Sequence, residues 1–233
     1  MKICVFVYNF EHNKTQNGLV NLISNKFKIN QVIASNKVKI YNPKKKINIG
    51  FKHINYNHPK KLCASLNIPY KILKHNSKNC LNFLKKKKFD LGIILGARIL
   101  EEDIIKTFKI GILNLHPGLL PDNRGLDTYQ WAIINMIPQG VTSHLIDSKM
   151  DAGKILIKKK IKIYQDDTLN DLYMRAQSLE MKLMIQSINL LNKNNKAGYF
   201  PSKLSQYHSY LPSKLEKKMI NNFTKYKKKF SSI

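Results

Sequence analysis

The run Phe89-Asp-Leu-Gly-Ile-Ile-Leu95 decides the fold class. It is strand-length and apolar without in–out alternation, the pattern of a strand buried on both faces of a parallel sheet. Upstream, Lys2-Ile-Cys-Val-Phe-Val-Tyr8 reads the same way, and Ile29 to Ala34 supplies another strand. Between those two, residues 15–27 carry Leu19, Leu22, Ile23 and Phe27 at helical spacing. Strand and helix alternate in this way from Met1 to about Asp151. That predicts an α/β fold, a mostly parallel twisted sheet flanked by helices.

Local punctuation fills in the rest. His58-Pro59 opens a helix containing Leu62, Ala64 and Leu66, with proline tolerated at the first helical position. Tyr70 to Leu73 is strand-like. Asn76 or Ser77 caps a helix ending in Lys85–Lys88, where cations suit the negative helix end. Glu101, Glu102 and Asp103 fall in the first turn of a short helix. Ile110 to Leu115 is a strand that leaves through a Pro- and Gly-punctuated loop, His116 to Gly125. Leu126 to Met136 follows as a helix. Val141–Asp147 and Ile155–Ile163 form a strand pair around Met150-Asp-Ala-Gly153. Asp166-Asp-Thr168 caps a long helix to about Asn192. The Lys-, Ser- and Tyr-rich residues 197–233 receive no element. The expected organisation is one catalytic domain, 1–192, with a short C-terminal extension, 193–233, that is not a domain of its own.

Composition limits the function classes. The 233 residues are 43% hydrophobic, enough for a packed core. No apolar run approaches the roughly 20 residues that span a bilayer, and the first strand is too short for a signal-peptide core, so a cytoplasmic protein without a membrane span is expected. Cys4, Cys63 and Cys80 are scattered, which argues against disulfides or structural zinc, and no metal site is expected. The net charge of +27 is carried by lysine, with Arg98, Arg124 and Arg175 the three arginines. Without arginine forks to read bases, no specific nucleic-acid partner is expected, although a basic surface steers anionic small molecules inward.

Chemistry concentrates at the end of the 110–115 strand. Asn114 and His116 are two residues apart, so a strand points both side chains to one side, and open α/β sheets bind ligands beyond their strands' C-terminal ends. An amide beside an imidazole suits acyl transfer: the amide holds an oxyanion while the imidazole handles a proton. Asp151, in a Gly-containing turn, is placed to set the charge state of the imidazole or to receive a proton. His144 is read as structural or supporting, and no partner is identified for His12, His53, His58, His75 or His208.

Three ordered segments carry a resemblance. Ile112-Leu-Asn-Leu-His-Pro-Gly-Leu-Leu-Pro-Asp-Asn-Arg-Gly125, then Gly140-Val-Thr-Ser-His144, then Met150-Asp-Ala-Gly153 resemble the formyltransferases that use 10-formyltetrahydrofolate. The likeness covers roughly residues 50–190. It implies the Rossmann-like formyltransferase fold and a catalytic trio of Asn114, His116 and Asp151, with direct attack of a substrate amine on the formyl carbon and no metal. It also implies a folate pocket formed by Gly96-Ala-Arg98-Ile99-Leu100 and by the stretch from Asp147 to Met150.

The acceptor amine is narrowed by departures from each branch. Enzymes acting on glycinamide ribonucleotide carry a Gly/Ser-rich phosphate loop after the first strand, where this chain has Tyr8-Asn-Phe-Glu-His-Asn-Lys-Thr-Gln-Asn-Gly18. Methionyl-tRNA formyltransferases add a C-terminal barrel, and formyltetrahydrofolate hydrolases an extra N-terminal domain; neither is expected here. Arg124-Gly-Leu-Asp-Thr-Tyr129-Gln-Trp131 and the later Gln206-Tyr-His-Ser-Tyr210 resemble segments of the sugar N-formyltransferases. A nucleotide-linked amino sugar is therefore the expected acceptor, with Arg124, Tyr129 and Trp131 as its binding residues and a homodimer allowed for. The alternatives are another amine, from glycinamide ribonucleotide or methionyl-tRNA, and a basic nucleic-acid-binding protein on the same scaffold.

Overall fold

The structure is a computed structural model that describes residues 1–38, 47, 49–50, 54–194 and 196–231. Five parallel strands form most of its sheet: β1 (Ile3–Tyr8), β2 (Ile29–Ser35), β3 (Tyr70–Ile72), β4 (Leu91–Ile94) and β5 (Gly111–His116). Past the dipeptide Arg124–Gly125, which forms the small strand β6, come β7 (Gly140–Leu145) and β8 (Lys154–Lys160), both antiparallel to their neighbours. The order is β3-β2-β1-β4-β5-β7-β8. This is the mostly parallel α/β sheet read from the sequence, with the chain turning back at β5.

Helices cover both faces. They are α1 (Asn13–Ser24), α2 (Pro59–Ser65), α3 (Lys78–Lys87), α4 (Glu102–Ile105), α5 (Thr128–Asn135) and α6 (Leu169–Lys193). Ser77 is the cap of α3, its side chain accepting from Cys80 N, and Lys85–Lys87 fill the last turn. Leu66 lies at the C-cap of α2 rather than inside the helix, and Pro59 and Cys63 are its buried residues. Asp127, at φ +48, delays α5 to Thr128, two residues after the expected start. The expected cap of α6 is a capping box between Thr168 and Asp171, and Arg175 pairs with Asp167 behind it. One apolar cluster joins Val5, Leu91, Ile93 and Leu113 to Leu183, Met184 and Ile188 of α6, while Phe6, Ile33, Leu84 and Ile112 build a second.

The C-terminal segment is more ordered than its composition suggests. β9 (Tyr207–His208) pairs with β6, and α7 (Ser213–Phe230) packs on α5. Met219 and Tyr226 are fully buried, and the Tyr226 hydroxyl donates to Ile137 O at 2.9 Å. Lysines on the outer face hide this helix in the composition, but Leu215, Met219, Phe223, Tyr226 and Phe230 keep a helical period. Among the described residues no helix is long and apolar enough to cross a membrane.

Candidate active site

Asn114 and His116 stand at the C-terminal end of β5, and the register of β7 sets His144 opposite Asn114 and Thr142 opposite His116. Asn114 Nδ2 donates to His144 Nε2 at 3.2 Å. His144 is fully buried; burial, then the neighbouring His116, lowers its pKa to about 3. The ring is therefore uncharged and can accept. An amide nitrogen carries two hydrogens, so one of the Asn114 hydrogens is used to fix the group and the other is free for an incoming oxygen.

His116 is 4% exposed and is held from its far side. Its Nε2 lies 2.7 Å from Asn123 O, an acceptor, so Nε2 carries a proton. Asn123 is in turn fixed by donating Nδ2 to Thr128 O at 2.9 Å. The free nitrogen, Nδ1, faces Asp151 Oδ1 at 3.5 Å. Asp151 Oδ2 accepts from Gly125 N at 3.0 Å, and Asp151 itself sits at φ +50. The turn 150–153 can come this close because Gly153 has no Cβ: one would fall 1.9 Å from Leu145 O.

The three residues open on a cavity of about 610 Å³. One end is walled by the turn after β4, with Arg98, Ile99 and Leu100, and by the loop after β7, with Asp147 and Met150. Ile99 and Met150 are 66% and 43% exposed, an apolar lip at that mouth. Asn76 ties the first wall down, donating to Ile99 O and accepting from Glu101 N. The rest of the lining includes Tyr8, whose hydroxyl donates to Ala97 O of the first wall at 2.9 Å, and His12, Lys14, Tyr129, Tyr173 and Tyr207.

The structure does not bring the three acceptor-side candidates together. Tyr129 lines the cavity, but Arg124 and Trp131 are not part of its lining. Trp131 stacks on His208 at 4.4 Å and donates to Ser209 O at 2.8 Å. Residues that do reach the cavity and carried no motif include His12, Lys14 and Tyr173. Lys14 Nζ pairs with the buried Glu180 at 3.1 Å and donates to Leu115 O at 2.6 Å, next to His116. Burial, then Lys14, lowers the His12 pKa to about 4. Of the other unassigned histidines, His58 caps α2 and His75 Nε2 meets Ile33 O at 3.2 Å. His53 lies outside the described residues.

A family model described as formyl transferase matches residues 1–188. The chain belongs to that family. A curated relative, the bifunctional polymyxin resistance protein ArnA of Wigglesworthia glossinidia brevipalpis, is 34% identical over 91% of this formyl transferase chain and 31% of its own length. Methionyl-tRNA formyltransferases also match, that of Thermodesulfovibrio yellowstonii at 36% over 48% of the chain and 38% of its own. The chain thus spans well under half the length of these curated relatives. Among solved structures, a formyltransferase from Anoxybacillus kamchatkensis in complex with UDP-4,6-dideoxy-4-formamido-L-AltNAc and tetrahydrofolate is 28% identical, with TM-score 0.54 over 69% of this chain and 85% of that one. A phosphoribosylglycinamide formyltransferase from Anaplasma phagocytophilum shares the fold at TM-score 0.65 and 19% identity, over 90% and 99% of the two chains.

Proposed function

We propose that this formyl transferase moves a formyl group from 10-formyltetrahydrofolate to the amine of a nucleotide-linked amino sugar, with 1–192 as catalytic domain and 193–233 as its extension. The observation that carries the acceptor assignment is the turn between β1 and α1. A phosphate held in this turn would need free cations beside the first N–H groups of α1, whose cap makes no side-chain bond. Here Tyr8 and Phe10 stack at 4.9 Å, His12 is uncharged at neutral pH, and the Lys14 ammonium is matched by Glu180. With Tyr129, Tyr173 and Tyr207, this part of the cavity offers ring faces and hydroxyls, which suit a sugar and a base. The Anoxybacillus relative, bound to a UDP-sugar and tetrahydrofolate, points the same way.

The walls formed by 96–100 and 147–150 fit the folate. Backbone groups of 96–100 and 147–150 can read a flat heterocycle's polar edge while Ile99, Leu100 and Met150 cover its faces. The acceptor's amine attacks the formyl carbon. The free Asn114 Nδ2 hydrogen meets the developing oxyanion, and preorganised donors of this kind contribute most where water is excluded. The nitrogen becomes cationic as its bond forms, and its proton passes to the Asp151–His116 pair, whose facing atoms are Oδ1 and Nδ1. Collapse then expels the folate nitrogen, which takes up a proton.

The experiment is an acceptor panel. UDP- and dTDP-amino sugars, glycinamide ribonucleotide and methionyl-tRNA are each offered with 10-formyltetrahydrofolate, and formamide products are detected by mass spectrometry. The highest kcat/KM is expected for a nucleotide amino sugar. A higher value for either of the other amines overturns the acceptor assignment, and no turnover with any of them overturns the enzyme reading.

A further inference from the structure

Arg124 stands beside the site without facing into it. Its Nη1 donates to Ser205 O at 2.9 Å and its Nη2 to Met150 O at 2.5 Å. Nε is buried and has no hydrogen-bond partner among the described residues. One planar cation therefore joins the carbonyl immediately before Asp151 to a segment that follows α6.

That segment is itself fastened to the loop between β5 and α5. Ser205 Oγ donates to Pro121 O at 2.6 Å, Leu126 N to His208 O at 2.8 Å, and Leu211 N to Asp127 Oδ2 at 2.8 Å. β6 pairs with β9, and Trp131 stacks on His208. Gly125 completes the connection: its N–H holds Asp151 Oδ2, and its φ of +104 lets it pass so close to His208 that a Cβ would lie 1.9 Å from that carbonyl.

The Asp151 turn needs such a hold. Asp151 sits at φ +50, in the left-handed region that non-glycine residues seldom adopt, so its neighbours help to fix it there. An arginine suits the task because its fork spans two acceptors in fixed directions, whereas an ammonium is a single mobile point.

We infer that Arg124 is a positioning residue for formyl transfer. It clamps the Met150 carbonyl so that Asp151 stays against His116, and segment 205–211 is the fixed end of the clamp. This rests on the assignment of proton movement to Asp151 made above.

The test uses the whole chain and two readouts. The first is hydrogen exchange at the Gly125 amide, which reports the Asp151 contact without any substrate. The second is kcat and KM with tetrahydrofolate-borne formyl and the acceptor identified by the panel. Arg124→Met is expected to lower kcat by about 10²-fold, the scale of a small catalytic misplacement, with both KM values within about threefold. Gly125 exchange should rise by about tenfold or more. Arg124→Lys should fall between wild type and Arg124→Met. His208→Ala, which touches the fixed end outside the cavity, should move both readouts in the same direction. A raised acceptor KM with Gly125 still protected would make Arg124 a substrate ligand and overturn the clamp. If Arg124→Met does not fold, Arg124→Lys decides: wild-type kcat and protection in that variant also overturn it. If wild type turns over no acceptor, the formyl-transfer reading fails, and Gly125 exchange alone still supports or refutes the clamp.

Discussion

His116 Nδ1 faces Asp151 Oδ1 at 3.5 Å, while the opposite ring nitrogen donates a hydrogen bond to Asn123 O at 2.7 Å. The imidazole thus has one nitrogen left for chemistry, and that nitrogen looks at the carboxylate. Asp151→Asn should lower kcat by about 10²–10⁴-fold, the usual contribution of a positioned acid–base group. His116→Ala combined with it should be little worse than either change alone, because residues acting as a unit are not additive. Steady-state kinetics with the accepted amine checks both, and independent multiplicative losses would contradict the shared proton.

The Asn114–His144 pair gives a second expectation. His144→Leu keeps the volume but removes the acceptor that orients the amide. It should slow single-turnover formyl transfer by roughly tenfold, less than the 10²–10³-fold expected for Asn114→Ala, which removes an oxyanion donor outright. The double variant should match Asn114→Ala. A further loss in the double variant would mean that His144 acts through another group.

Acid should destabilise the fold through histidines buried uncharged. Burial lowers the pKa of His75 to about 4 and that of His144 to about 3. In the unfolded chain both protonate near 6.5, so proton uptake favours unfolding. Their contribution is complete above that pH and is lost as pH falls from about 6.5 toward 4 and 3, by roughly 1.4 kcal/mol per pH unit for each ring. Denaturant unfolding at pH 7 and pH 5 measures it. His75→Gln should make stability less dependent on pH across that interval; an unchanged dependence would show that other groups carry it.

Glu180→Gln leaves the Lys14 ammonium facing a neutral amide in a mostly buried place. The Leu115 carbonyl still accepts from Lys14, so the expected loss is about 1–3 kcal/mol, a Tm decrease of roughly 2–12 °C for a chain of this size. Adding Lys14→Met should recover much of it. Calorimetry on the three variants decides, and a double variant worse than Glu180→Gln would argue that the pair is not the source.

What could be read from the sequence was what depends on short range. Alternation along β5 placed Asn114 and His116 on one side, and the apolar runs of β1 and β4 set a parallel sheet. What could not be read depends on where distant segments meet. His144 became the partner of Asn114 because β7 runs antiparallel in one particular register, which its residues alone do not specify. Lys14 and Glu180 meet across α1 and α6. Trp131 suggested a ligand platform, but the returning chain presents His208 to its ring.

The docking of segment 205–211 onto residues 121–131 also orders events in time. As the chain is made from its N-terminus, Asn114 and His116 appear first and Asp151 later, and the backbone that fastens their loop follows more than fifty residues after Asp151. A chain stalled before Ser205 would hold all three reacting side chains and still lack the Ser205 and His208 contacts that brace their loop. Competence would then arrive in one late step, after the sheet is complete and when residue 211 is free to fold back.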